Sequence, residues 1–360
     1  MSLFYLQGIP YYYIRVELTM KTVSDIGERG LIRIISDILG GLGNDILSGE
    51  DDAVAIHIRD PSLLVINTDM LVSTTDVPPQ MNFFQAARKA VVMTVSDVLV
   101  KGAIPKWGVV ALGIDKNLPL DGDRGFTGLI RGLQAGFKEY GVQYLGGDLN
   151  ETKEIIISCT IFGEAPYGII PRSGAKSGDL IVCTGELGKT GCGFSILLNQ
   201  NRSRKTTDEN ISSFIDSVLH PNTSTQYAHI IIKNKWATSS CDSSDGILET
   251  IKEICKASKT GAKLTWNSLP IAAGVEQFSQ ETGEDIFNLI LNSGEEFIHI
   301  FTIPKDNFLK SLKHFNTQNL LFTKIGEITS NERVIMMEYP DKTIDISKFS
   351  GFIHLKKNKK

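Results

Sequence analysis

Apolar runs along this chain stop repeatedly at an acid. After Glu50, Asp51 and Asp52, an apolar run through Ile58 reads as a β-strand, and Leu63 to Asp69 reads as a second. Each of these strands carries a carboxylate at its end. Further on, helical spacing takes over. Residues 82–101 place Phe83, Ala86, Ala87, Ala90, Val91, Val95, Val98 and Leu99 along a long helix that Gly102 closes, and Asp97 interrupts its last turn. A lone carboxylate among so many apolar neighbours is costly without a cation or a donor. Residues 107–114 predict a strand. Residues 127–140 predict a helix with a face of small residues at Gly132, Ala135 and Gly136. A short strand over 142–145 then runs into Gly146, Gly147 and Asp148, and another strand covers 154–162. The turn-rich stretch from Pro166 to Pro171 is the candidate boundary between two halves.

Beyond it the same alternation resumes. Strands are predicted at 180–184, 262–266, 297–302 and 324–328, and helices at 211–219, 248–259 and 285–291. Residues 201–210 read as a polar loop. Alternating strands and helices in both halves point to an α/β protein of two domains, 21–165 and 166–355, with an N-terminal extension over 1–20 and a basic tail over 356–360. Met20 is an alternative start, and residues 11–18 equally suit an added edge strand. No short tandem repeat is visible.

Composition narrows the function classes. At 360 residues, 42% hydrophobic and 22% charged, the chain has the make-up of a globular protein. A net charge of −4 gives no basic face for nucleic acid. No apolar run reaches the ~20 residues of a membrane span. The five cysteines are scattered without C-x-x-C spacing, which suits reduced thiols in the cytoplasm, and the dispersed histidines leave no zinc pattern.

Two glycine-rich stretches are decoys. Gly185 to Thr190 ends like a phosphate-binding P-loop, but only two residues separate its glycines, and Cys183 stands where the first glycine belongs. Gly40 to Gly43 follows a predicted helix, entered near Ser24 with Leu31, Ile34, Ile35 and Ile38 at helical spacing, and lacks the third glycine of a dinucleotide fingerprint, so it reads as a turn. The acids carry more. Asp51, Asp69, Asp97, Asp148, Asp242 and Asp245 each adjoin a glycine, a small polar residue or a strand end. Singly, such residues are turn or cap residues. Together they suggest a site for hard cations, magnesium above all, in a phosphate-rich reaction. Arg172 opens a Gly/Lys segment suited to a nucleotide phosphate, or simply to a surface turn.

In order along the chain come Glu50-Asp51-Asp52-Ala53, Asn67-Thr68-Asp69, Lys89-Ala90, Ser96-Asp97, Gly146-Gly147-Asp148, Arg172-Ser173-Gly174-Ala175, Asp242-Ser243-Ser244-Asp245-Gly246, Gly294-Glu295 and Gly351-Phe352. This ordered set resembles the thiamine-monophosphate kinase family, within the superfamily that includes aminoimidazole ribonucleotide synthetase. The resemblance spans Gly27 to Phe352. It implies a two-domain aminoimidazole ribonucleotide synthetase-like fold whose N-terminal α/β domain forms a barrel in a homodimer, with a C-terminal α/β domain. It implies ATP as co-substrate, several Mg2+ ions, and thiamine monophosphate as acceptor in a direct in-line transfer. By position, Asp51, Asn67, Thr68, Asp69, Asp97, Asp148, Asp242 and Asp245 become metal ligands. Asp148, Arg172 and Ser244 meet ATP. Asp76, Glu295 and Phe352 meet the acceptor, and Asp97, Asp148 and Asp242 matter most for turnover. The pattern departs in places. Glu50 replaces a usual Gly, Asn67 a common Ser, Asp76 a substrate-facing His, and Glu296-Phe297 an Asp-Tyr pair. The alternative implied by the fold is another ATP-dependent enzyme of the superfamily, such as an aminoimidazole ribonucleotide synthetase-like ligase. A non-catalytic nucleotide-binding protein of this fold is the third reading.

Overall fold

A computed structural model describes residues 54–59, 62–199 and 206–349. Asp51, Phe352, the N-terminal extension, the Gly40 to Gly43 turn and the basic tail lie outside the described residues.

The first half is built on one sheet. β1 (Val54–Arg59) and β2 (Ser62–Val72) form an antiparallel pair. A single helical turn, α1 (Ser73–Asp76), and a long helix, α2 (Phe83–Val100), follow. Then come β3 (Ile104–Ile114), α3 (Phe126–Glu139), β4 (Gln143–Glu151) and β5 (Ile156–Ala165). Their order across the sheet is β1-β2-β5-β3-β4. β5 alternates strictly, turning Ile157, Cys159, Ile161 and Ala165 inward. That face is covered by α2, whose start is fixed by a capping box between Asn82 and Gln85. The predicted small-residue face of α3 is what lets the two helices close. A Cβ on Gly132 would stand 2.1 Å from the Phe84 carbonyl oxygen.

The second half is a seven-stranded sheet in the order β12-β11-β8-β10-β6-β9-β7. Its strands are β6 (Leu180–Cys183), β7 (Ser239–Ser243), β8 (Gly261–Thr265), β9 (Ile298–Ile303), β10 (Thr323–Thr329), β11 (Ile335–Glu338) and β12 (Thr343–Asp345). The helices are α4 (Lys189–Asn199), α5 (Asp208–Leu219), α6 (Ala228–Lys233), α7 (Ile247–Ser258), α8 (Val275–Thr282), α9 (Ile286–Leu291) and α10 (Lys305–Asn316). Both sheets lie in one compact unit and share side chains. Phe297 of the second half is buried in the first-half core, and Lys101 Nζ donates to the Ser240 carbonyl.

Several expectations are corrected. β2 does not end at Asp69 but continues to Val72, because Leu71 keeps the alternation and is fully buried. β4 runs straight through Gly146, Gly147 and Asp148 to Glu151. The polar loop over 201–210 gives way to α5 already at Asp208. Helices α4, α6, α8 and α10 and strands β7, β11 and β12 have no counterpart among the sequence-predicted elements.

Candidate active site

Strand alternation decides which of the predicted ligands meet. Asn67 and Asp69 lie on one face of β2, and the Asn67 amide donates to Asp69 Oδ2 at 2.8 Å and to Asp97 Oδ2 of α2 at 2.6 Å. One side-chain amide thus holds two half-buried carboxylates that would otherwise repel. Thr68 points to the other face. Its hydroxyl donates to the Cys159 carbonyl at 3.2 Å and accepts from Thr160 at 2.8 Å, so its side chain does not join the pair. The grouping Asn67, Asp69 and Asp97 offers only hard oxygen ligands, which fits a magnesium ion and not zinc or copper.

Asp148 stands elsewhere. The register across the sheet puts it in the row of Ala111, Ser158 and Met70, one row from Asp69, so its side chain is on the opposite, exposed face. Gly147 before it runs flush against β3. A Cβ there would lie 1.7 Å from the Val110 carbonyl oxygen.

The second-half acids sit on the β7–α7 connection. Asp242 is buried at the end of β7, in register with His299 of β9. Ser244 and Asp245 are exposed just ahead of α7. This connection is laced to the turn before β9: Glu295 N donates to the Ser244 carbonyl at 2.7 Å, and Phe297 N to the Ser243 carbonyl at 3.1 Å. Among the described residues, no group of three or more His, Cys, Asp or Glu side chains converges as a metal cluster. The five described acids of the six expected at one site form no single cluster: Asp69 lies with Asp97, Asp148 is on the outer face, Asp242 is on β7 and Asp245 on the β7–α7 connection. The sixth, Asp51, is not described.

Two of the residues that the resemblance assigns to the acceptor, Asp76 and Glu295, meet at a lysine that the sequence analysis only quoted within a motif. Lys89 is 1% exposed. Its Nζ donates to Glu295 Oε1 at 2.5 Å and to the Asp76 carbonyl at 2.8 Å. The Asp76 carboxylate turns back to accept from Val72 N at 2.7 Å, fastening α1 to the strand it follows. A cation at a position flanked by Ala86, Ala87, Ala90 and Val91 on a buried helix was the available signal. Nearby, a cavity of about 210 Å3 is lined by Thr184, Asn222, Thr223, Ser224, Phe297 and His299. The Thr223 hydroxyl there donates to Ser96 Oγ at 3.3 Å, beside Asp97. A wider groove near Trp266 contains none of the predicted site residues.

The P-loop decoy has a physical role after all. Gly188 N, at the start of α4, donates to Glu296 Oε1 at 2.6 Å, so a carboxylate of the chain itself occupies the place a phosphate would take. Burial pushes the Glu296 carboxyl up to about 8, against the pull of the Gly188 N–H, the Thr190 hydroxyl and the Lys189 charge. Arg172 is mostly buried and pairs with Glu253 of α7 at 3.5 Å.

Comparison with known proteins identifies the two domains and the family. The family model for the N-terminal domain of AIR synthase related proteins matches residues 50–165, and that for their C-terminal domain matches residues 176–337. The thiamine-monophosphate kinase of Nitrosopumilus maritimus (strain SCM1) is 34% identical over 315 residues, covering 87% of this chain and 94% of the relative. That of Pyrococcus horikoshii is 32% identical over 284 residues, covering 79% and 84%. A solved structure described as AaThiL complexed with AMPPCP and TMP superposes with a TM-score of 0.77 over 94% of this chain and 99% of that one. At 23% identity this last likeness shows the fold, a two-domain α/β architecture of the AIR synthase type. The extent and identity of the first two matches settle the family: the chain belongs to the thiamine-monophosphate kinases.

Proposed function

We propose that this chain transfers the γ-phosphate of ATP to thiamine monophosphate, giving thiamine diphosphate and ADP. The observation that carries the reading is the Asp69–Asn67–Asp97 grouping, in which one amide holds two carboxylates side by side as oxygen ligands for a cation. The acceptor is a phosphate oxygen, already ionised near neutral pH, so no strong general base is needed. The chain's task is to bring two anions together in line. In this reading several magnesium ions are held: Asn67, Asp69 and Asp97 hold one, Asp148 on the opposite face of the sheet holds another, and Asp51, Asp242 and Asp245 supply further ligands. When bound, magnesium would offset the negative charge of both phosphate groups. Arg172 and Ser244 meet the nucleotide, while Glu295, Asp76 and Phe352 meet the acceptor. The 21–165 half then supplies most ATP and metal contacts, and the 166–355 half completes the acceptor site.

The working unit is proposed to be a homodimer in the cytoplasm. Support for the dimer comes from β4, an edge strand whose Tyr144, Leu145 and Leu149 are all more than half exposed, and from exposed Met70 on β2. Support for the compartment comes from five buried cysteines, none of them in a disulfide bond. Among the described residues, no helix is long and apolar enough to cross a membrane. An acceptor panel tests the substrate. Offered thiamine monophosphate, thiamine, or the amidine substrate of aminoimidazole ribonucleotide synthetase, the protein should consume ATP with the first alone. Consumption driven by the amidine instead would transfer the chain to the ligase reading.

A further inference from the structure

A buried ammonium group is costly unless its donors are all taken, and the cost falls on whichever segments supply the acceptors. The Lys89 side chain draws on two segments far apart in sequence. One is the carbonyl of Asp76 at the end of α1. The other is the carboxylate of Glu295, 206 positions away in the turn before β9. Both acceptors belong to the acceptor side of the site.

Glu295 is held unusually. Its φ is +63°, in the left-handed region that non-glycine residues seldom occupy. Such a conformation persists only where surrounding bonds over-determine it. Here they are its own N–H to Ser244, the Phe297 N–H to Ser243, and the ion pair to Lys89. The two carboxylate oxygens then fare differently. Oε1 is taken by Lys89, while Oε2 is buried with no hydrogen-bond partner. A buried acceptor with no partner in the chain is available to a donor from outside it, a ligand group or an ordered water.

We propose that Lys89 is the positioning residue of the acceptor site. It fixes Glu295 so that Oε2 is presented to an N–H or O–H donor of the acceptor, and through the Asp76 carbonyl it ties α1 to the same carboxylate. The ligand class is a donor-bearing group, such as the exocyclic amine of a heterocycle, on a molecule that also carries a phosphate. The inference rests on the reading above that Glu295 meets the acceptor. Lys89 acts through Glu295 and does not itself touch the nucleotide.

The test is steady-state kinetics of the full chain with Lys89→Met and Lys89→Arg, varying ATP and thiamine monophosphate separately. Lys89→Met should raise KM for thiamine monophosphate by about tenfold or more, leave KM for ATP within about twofold, and lower kcat less than it raises that KM. Lys89→Arg should recover part of the loss, because it keeps the charge but not the point-like donor geometry. A folded Lys89→Met protein with an unchanged acceptor KM, or with both KM values shifted alike, overturns the proposal. Should Lys89→Met not fold, Lys89→Arg decides. A rise in the acceptor KM alone supports the role, and two unchanged KM values refute it. Wild-type protein that makes no thiamine diphosphate would overturn the substrate reading instead. Amide hydrogen exchange of Lys89→Arg against wild type then tests the tie by itself: faster exchange in both 73–77 and 294–297 supports it, and unchanged exchange in either refutes it.

Discussion

Replacing Asn67 with alanine removes the amide that stands between Asp69 and Asp97. Two hydrogen bonds to carboxylates are lost, at 2.8 and 2.6 Å. Each bond of this kind contributes roughly 1.5–3 kcal/mol net when well sheltered. All three residues are half-buried, so water takes over part of the role, and about 2 kcal/mol in total is the reasonable expectation. That is about a thirtyfold shift in the unfolding equilibrium. Urea unfolding with a chelator present should therefore show a lower midpoint at an unchanged slope. Turnover should also need more magnesium for its half-maximal rate, since the two carboxylates are no longer held ready. Asn67→Asp sharpens the argument. A third carboxylate in place of a donor should destabilise the chelated protein further, and magnesium should restore more of that loss than it adds to wild type. An Asn67→Ala protein with wild-type midpoint and wild-type magnesium dependence would show that the amide does not hold this pair.

Three further outcomes are expected. Glu296 should give stability a pH slope: its carboxyl is raised from 4.5 to about 8, so between those values the folded chain keeps a proton that the unfolded chain has released. Stability then falls as pH rises through that window and levels off above it. Glu296→Gln should match wild type below the window and be the more stable protein near pH 8, as melting curves across pH would record. Gly132→Ala forces a Cβ to 2.1 Å from the Phe84 carbonyl oxygen, so α2 and α3 must part, at about 1–3 kcal/mol or more. A thermal melt indistinguishable from wild type would contradict that packing. Asp148→Ala should fold with stability within about 0.5 kcal/mol of wild type, because the side chain is exposed, yet lose about a hundredfold or more in kcat/KM. Wild-type turnover at saturating magnesium would remove Asp148 from the site.

Local pattern explains which parts of this molecule can be read from its residues. α2 is legible almost to the residue, because its apolar spacing and the Gly102 stop agree, and the Asn82 capping box fixes the start in the structure. The Asp97 argument is equally local: an acid in an apolar helix needs a donor, and Asn67 supplies one. Other features depend on information that spacing does not carry. β7 is Ser-Ser-Cys-Asp-Ser, too polar to read as a strand, yet it is buried throughout, paired with β9 and bonded through Ser240 to the carbonyls of Ile170 and Pro171. α4 hides behind the resemblance of its first residues to a P-loop, and the carboxyl that accepts from its start, Glu296, is 108 positions from Gly188. Thr68 and Asn67 look interchangeable as neighbours until the pleat sends them to opposite faces. The separation of Asp148 from Asp69 has the same cause, a one-row offset in register three strands across.

The most direct test of the account is turnover of ATP with magnesium and thiamine monophosphate, followed by chromatographic measurement of both products. Thiamine diphosphate formed one-for-one with ADP is the predicted result. ADP released without thiamine diphosphate, or ATP bound and left intact while thiamine monophosphate is recovered unchanged, would contradict it.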